Sequence, residues 1–555
     1  DVGADGTLDS DTLNVGDGTD GAGTATLTNA GTVNADTVTV KSDGQLDTTG
    51  ALTIADTLEV DGGVVNSTGN TTADTLNVDN DGKVNVNGGT TDVATTNIND
   101  GAVTVGDKGT LDSDILNVGD GTDGAGTATL TNAGTVNADT VTVKSDGQLD
   151  TTGALTITDT LTVDGGKVNV NDGTTIAETL TIDNSGEVNV GTKGNLDLGN
   201  DGIITLDEGS LNVDGKVNAD NIRSDSLGND KSAILNVNSG GDLKLNLDDG
   251  DVLFENLHTA NGGEDTININ GKLNINVDSG AVASLENSAS ISGTGSLDKT
   301  GSGEFKIENA NSGFSGKTNV EKGTLHLANG GSLSTSDVTV KDNARLTVDK
   351  EGTELGGLTL SDNSTLSVVI TPNEYTKITV NGDVKLNGTL DIDISGSKED
   401  DFKNTIFNDV IKSTSSMSGN FNEVTDNSLL FNFRPNVVDK TLSLIPYVSS
   451  TTSLVDIIKK FGLDRALDVA RALDSNFSVS PENDLSTLFY TIRDNKQAAN
   501  AVLESLPTLA GASSQVVADT SKHLANLARV YERCEGNIQQ GDKYIWARTF
   551  GSWET

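Results

Sequence analysis

Through the first half of the chain, apolar residues recur at every second position in short runs, with polar residues between them. Thr37-Val38-Thr39-Val40, Thr57-Leu58-Glu59-Val60 and Thr75-Leu76-Asn77-Val78 are such runs. Alternation with period two over four to six residues predicts half-buried β-strands. Gly, Asn and Asp cluster between the runs, where turns need them.

The strands repeat. The signature Asp-Thr-(Leu/Val)-x-Val starts at Asp11, Asp36, Asp56 and Asp74, and a looser relative, Thr95-Thr96-Asn97-Ile98, follows before the cycle restarts at Asp114. Five units in 103 residues give a period of about 20, which is the solenoid range. A longer period encloses the short one: Gly6–Asn66 matches Gly109–Asn169 at an offset of 103, and only Thr12/Ile115, Ala55/Thr158, Glu59/Thr162 and Val64/Lys167 differ. A unit this short buries its apolar side chains only by coiling and stacking on its neighbour. The pattern therefore predicts a β-helix. Val38/Val40, Leu58/Val60 and Leu76/Val78 are expected inside, and Thr39, Glu59 and Asn77 outside. The absence of any helical segment between strands excludes a leucine-rich repeat.

Composition sharpens this. The chain has 555 residues with 64 Gly and only 34% apolar residues, and the first aromatic residue is Phe254. Such a segment is too polar for an ordinary globule; a thin solenoid core without room for large aromatics accounts for it. A formal charge of −46 argues against nucleic acid as partner, since phosphates are bound by Lys and Arg. One cysteine, Cys534, excludes an internal disulfide framework. No apolar run reaches the ~18 residues of a membrane helix. The chain opens on Asp1 without a signal sequence, as a trimmed or mature piece would.

From about residue 290 the pattern changes. SISGTGSLDKTGSGEFKIENANSGFSGKTNVEKGTLHLANGG opens a segment running from Ser290 to Val348, which resembles the strand repeat of bacterial autotransporter passengers. The family pattern G-x-L-x-K-x-G-x-G leads there through N-x-(Y/F)-S-G to G-T-L. Residues Tyr375–Val448 resemble the C-terminal cap of that family, with Phe421, Phe431, Phe433 and Tyr447 as its covering aromatics. From Thr451 the spacing becomes helical, and Gly511–Arg533 is similar to the helix that threads the translocator barrel. Tyr544–Trp553 resembles the barrel's first strand, with Trp546, Arg548, Phe550 and Gly551 as its motif residues.

The resemblance implies a right-handed parallel β-helix with a C-terminal β cap, followed by a helical linker. The expected divisions are residues 1–289, repetitive coils; 290–374, family strand repeats; 375–450, cap; 451–540, helical linker; and 541–555, a truncated barrel strand. It also implies display at the surface or outer membrane of a Gram-negative bacterium, retained or released.

Candidate chemistry is thin. No Gly-Asp-Ser-Gly or Gly-x-Ser-x-Gly surrounds any serine, and the three His are His258, His326 and His523, so a Ser-His-Asp arrangement lacks its sequence context. His326 is expected outward by alternation. Acidic pairs such as Asp248/Asp249/Asp251 carry little information among 82 acidic residues. The insert Gly16-Asp17-Gly18-Thr19-Asp20-Gly21, with its copy at Asp120 and Asp123, faintly resembles a calcium-binding repeat. Its copies lie five coils apart, so a loop where one coil runs long is the simpler reading, and no cofactor is expected. Thr-x-Thr rows also occur on ice-binding solenoids, but unequal coil lengths of 25, 20 and 18 argue against a lattice match.

The function expected is non-enzymatic adhesion: self-association between cells, giving aggregation and biofilm, or attachment to a host cell or matrix ligand. The alternatives are a structural spacer presenting another domain and a passenger hydrolase.

Overall fold

Alternation in the sequence becomes a wall in the structure. In a computed structural model the chain folds as a parallel β-solenoid of about 17 turns, followed by a few helices. The structure describes residues 1–19, 23–122, 127–224, 233–255, 265–286, 289–311, 313–371, 374–394, 406–427, 431–448, 453–479 and 495–506.

One coil shows the plan. Strand Ala51–Asp61 carries two faces joined by a bend at Ala55-Asp56, and Val64–Ser67 forms the third face. Leu52, Ile54, Leu58, Val60 and Val65 all point inward and are at most 3% exposed. The next coil, Thr71–Asp79 and Gly82–Val86, pairs with it in parallel: Leu58 stands opposite Leu76, Val60 opposite Val78 and Val65 opposite Val84. Burial thus comes from like stacking on like, and the backbone N–H and C=O groups are satisfied between coils rather than within one. Tight turns need glycine where backbones approach. A Cβ at Gly50 would lie 2.0 Å from the carbonyl oxygen of Gly31, so a side chain there would push the coils apart.

Uneven coil lengths do not disturb the faces, which corrects one expectation. Thr12, Thr37, Thr57, Thr75, Thr95, Ile115 and Thr140 stand in unbroken register along the second face. The extra residues fall outside the strands, above all between Val15 and Ala25. The thin core also admits aromatics further along. Phe254, Phe305 and Phe314 are fully buried, because small neighbours make space. Phe305 stacks on Ala283, and a Cβ at Gly316 would lie 2.8 Å from the Phe314 ring.

The third-face sheet of the repeats ends at Thr266–Ile269, and a seven-stranded sheet opens at Val282–Leu285. The coils close on an antiparallel hairpin. Strands Phe431–Val438 and Thr441–Val448 pair with each other, and the second pairs antiparallel with Phe407–Ser413. This change of direction stops further parallel stacking. Phe407 and Phe433 are buried with ring centroids 6.3 Å apart, and Tyr375 meets Phe407 edge-on at 5.2 Å. Of the four residues expected to cover this end, Phe433 is buried, Phe421 packs partly against the core and Tyr447 is 48% exposed. The Phe431 side chain lies outside the described residues. Phe407 had no distinguishing sequence signal.

Helices Leu454–Lys460, Leu467–Val479 and Asn495–Glu504 follow. Asp474 caps the first: its carboxylate accepts from the Leu454 and Val455 N–H groups and from the Ser453 hydroxyl at 2.7–3.1 Å, a favourable place for negative charge. Among the described residues no helix is long and apolar enough to cross a membrane. Gly511–Arg533, Cys534, and the barrel-motif residues Trp546, Arg548, Phe550 and Gly551 lie outside the described residues.

Candidate functional site

Outward positions of the strands form rows, because equivalent residues stack at the coil spacing of about 4.8 Å. On the third face the Asn66 amide donates to Asp47 at 2.7 Å and Asn85 to Asn66 at 2.8 Å. Further along, Asn169, Asn189, Asn212 and Asn236 form a second such ladder on the same face, starting from Asp150. On the second face Asn77 donates to Glu59, Asn97 to Asn77 and Asn117 to Asn97, at 2.8–3.0 Å. Each amide has two N–H groups and an oxygen with two lone pairs. Along the ladder an inner amide such as Asn66 or Asn97 donates once and accepts once, while Asn189 gives a second hydrogen to Glu187.

Charge is arranged differently. At the bend between the first and second faces, Asp36, Asp56, Asp74, Asp114, Asp139, Asp159 and Glu178 are exposed and run down one corner. Beside this acidic edge, Thr142, Thr162 and Thr181 stand in register as a neutral strip. The neutral second-face strip therefore lies beside a line of negative charge.

The acidic inserts are held by backbone. Gly16 and Gly18 adopt left-handed backbone with φ of 90° and 77°, turning the Asp17 and Gly18 N–H groups onto the Asp43 carboxylate of the next coil at 2.8–2.9 Å. Asp120 and Gly121 donate likewise to Asp146. Asp17 accepts from the Thr19 N–H and Asp120 from the Thr122 N–H; the Thr19 bond holds the Asp17 carboxyl below its ordinary range. Asp20 and Asp123 lie outside the described residues. Among the described residues no group of three or more His, Cys, Asp or Glu is placed to hold a metal ion. Asp249 and Asp251 are likewise bound by backbone N–H groups, of Val282 and Asp248.

Two buried or half-buried groups were not evident from the sequence. Lys299 points inward in a strand whose alternation demands an apolar residue, and is 1% exposed. Its ammonium donates to the carbonyls of Thr300, Gly301 and Lys322 at 2.5–3.2 Å, filling the place of missing backbone donors at a turn. Asp220 sits near Asp251, Asp248 and Asp201. Burial first, then these like charges, push its carboxyl up to about 7.

His326 faces outward as expected, but it is enclosed by carboxylates of neighbouring coils. Nδ1 lies 2.8 Å from Glu304 and Nε2 lies 3.5 Å from Asp349. Burial opposes its charge, yet the nearby Asp349 carboxylate and the Glu304 hydrogen bond outweigh burial and raise it to about 9. At neutral pH this is a fixed cation across three coils and a poor general base. His258 lies outside the described residues. Because the folded value exceeds the ordinary 6.5, the stabilisation from protonated His326 is complete below about pH 6.5 and is lost as pH rises through 9. Glu304, held down first by the bond to His326, and Asp349 are both shifted downward. Their contribution is lost in acid, so the cluster is strongest near pH 5–6.5. An NMR titration of the His326 ring should show a midpoint near 9, and His326→Gln should abolish an alkaline loss on the order of 2 kcal/mol. A midpoint at 6.5 would refute the enclosure.

Compared with known proteins, the chain matches no family model and no curated sequence.

Proposed function

We propose that the chain is the surface-displayed passenger of an autotransporter, acting as a non-enzymatic adhesin that binds a second copy of itself on a neighbouring cell. The observation that carries this reading is the set of neutral Asn and Thr rows held in register over successive coils. Two such surfaces share one axial repeat, so hydrogen-bonding groups on one can meet those on the other at every rung. Each contact is weak, and many molecules on two surfaces multiply it. With a formal charge of −46, copies repel at their acidic corners, so contact is confined to the neutral strips and strengthens with salt. The resemblance of residues 290–553 to autotransporter sequences supports display on a Gram-negative outer membrane. A host or matrix ligand bound by the same rows is the variant of this reading.

A structural spacer is the second reading, favoured by the near-identical module, which lengthens a solenoid without adding a site. Settling of cells displaying the chain separates the two. Thr142→Glu, Thr162→Glu and Thr181→Glu together leave length unchanged and place three charges on the strip. Adhesion through that strip predicts at least about tenfold slower settling, restored in part by magnesium and again lost with chelator. Settling equal to that of the parent chain would sink self-association through this face and leave the spacer.

A further inference from the structure

The corner that joins the first face to the second changes width from coil to coil. Thr53 pairs with Thr72 and Thr57 with Thr75, so Ala55 and Asp56 stand where the next coil has Asp74 alone. Five coils further on, Thr156 pairs with Ile176 and Thr160 with Thr179, so Thr158 and Asp159 stand where the next coil has Glu178 alone. A wide corner stacked on a narrow one leaves a step. A cleft of about 360 Å³ opens at each of the two steps.

The two clefts share one construction. In the first, the buried residues Ile54, Ala73 and Val93 form the floor, and Asp74, Asp92 and Asp114 form the rim. In the second, the floor is Ile157, Ala177 and Leu198, with Ile176 beside it, and the rim is Glu178 and Asp197. The ladder matches them residue for residue: Asp92 lies beyond Thr72 as Asp197 lies beyond Ile176. Of the matched residues only Ile54 and Ile157 belong to the near-identical stretches Gly6–Asn66 and Gly109–Asn169. Elsewhere Leu198 answers to Val93 and Glu178 to Asp74, so the letters differ while the apolar floor and acidic rim are kept.

Among the described residues, Asp74, Asp92, Asp114 and Glu178 are exposed and have no hydrogen-bond donor or cation beside them. Asp197 is held in place at Oδ1, which accepts from the Gly199 N–H and the Asn218 amide at 3.0 and 2.8 Å. Asp139 and Asp159 carry the acidic corner on between the clefts. Carboxylates stacked at about 4.8 Å repel one another, and no Lys or Arg lines either cleft. An apolar floor under a carboxylate rim suits a side chain with an aliphatic stem and a cationic head. A second copy of this chain, with its formal charge of −46, would bring more carboxylates to the same corner.

We propose that this corner binds a basic, extended segment of a partner protein, with one Lys or Arg side chain seated in each cleft. The stem of each lies on the apolar floor, and its charged head meets the rim carboxylates. Five coils at about 4.8 Å set the clefts about 24 Å apart. An extended chain covers that distance in about seven or eight residues, which fixes the spacing of the two basic anchors. The residues between them pass Asp139 and Asp159, where further positive charge adds to the attraction. The partner is therefore a different protein from the second copy that meets the neutral strip, and the inference does not rest on that contact.

The test measures the affinity of the purified full chain for two polyproline peptides of one composition. One carries its two arginines eight residues apart, about 25 Å in that geometry, and the other carries them side by side. Seating in both clefts at once should make the spaced peptide bind at least about tenfold more tightly. Ala94→Arg in the first cleft and Thr158→Arg in the second, both at exposed positions, each set a guanidinium over one rim. Either should bring the spaced peptide down to the level of the other. Thr131→Arg adds the same charge at an exposed position of the third face and should leave the preference intact. Equal affinity for the two peptides overturns the proposal, and so does an equal loss from Thr131→Arg, which would leave net charge as the whole attraction. Spermidine bound as tightly as the spaced peptide would make a free polyamine the occupant and overturn it too. These outcomes are independent of cell settling, which reads self-association.

Discussion

Phe407→Ala should lower the stability of the last coils by about 3–5 kcal/mol, the range for removing a large aromatic from a packed site. Phe407 is fully buried and lies between the Tyr375 and Phe433 rings, while its backbone pairs with Leu444 of the closing hairpin. Truncation therefore opens a cavity at the junction of parallel coils and antiparallel cap. In a solenoid each coil leans only on its neighbours, so the loss should appear as fraying from this end. Amide exchange in Lys377–Val380 and Phe407–Ser413 should accelerate by two to three orders of magnitude, and Thr135–Lys144 should not change. Phe421→Ala, at a half-buried ring, should cost much less. Similar acceleration from both substitutions would show that Phe407 is not the anchor of the cap.

The coil plan was legible because its signal is local. Alternation in Thr57-Leu58-Glu59-Val60 names the inward residues without any knowledge of what they touch, and the offset of 103 residues names the stacking unit. What escaped lies between coils, among residues about 20 positions apart whose meeting depends on register. The outward asparagines gave no sign in sequence of their ladders, in which they donate to Asp47, Glu59 and one another. His326 looked like an isolated outward histidine, and the carboxylates beside it come from positions 304 and 349. Lys299 breaks alternation because three carbonyls at a turn require a donor. The buried phenylalanines defied the thin-core argument, since Ala283 and Gly316 yield the volume that Phe305 and Phe314 occupy. The inserts at Asp17 and Asp120 looked like metal loops in composition. Their described carboxylates and those of Asp43 and Asp146 accept from backbone N–H groups instead.

Leu116→Ala and Leu13→Ala delete the same side chain from the same local sequence, and they should differ severalfold in cost. Leu116 is buried between Thr96 of one coil and Val141 of the next. Its loss leaves a cavity that two rigid sheets cannot close, for about 3–5 kcal/mol. Leu13 has Val38 on one side only, so solvent already reaches it and truncation creates no enclosed void. About 1 kcal/mol is expected there, close to the transfer value of the surface it still buries. Intrinsic strand propensity cannot separate the two sites, because Leu-Asn-Val follows both Thr12 and Ile115. The difference is therefore a direct reading of what one covering coil contributes at one position. Exchange in Thr110–Val118 and Thr7–Val15 measures both. If the two costs were equal, stacking on the second side would contribute nothing.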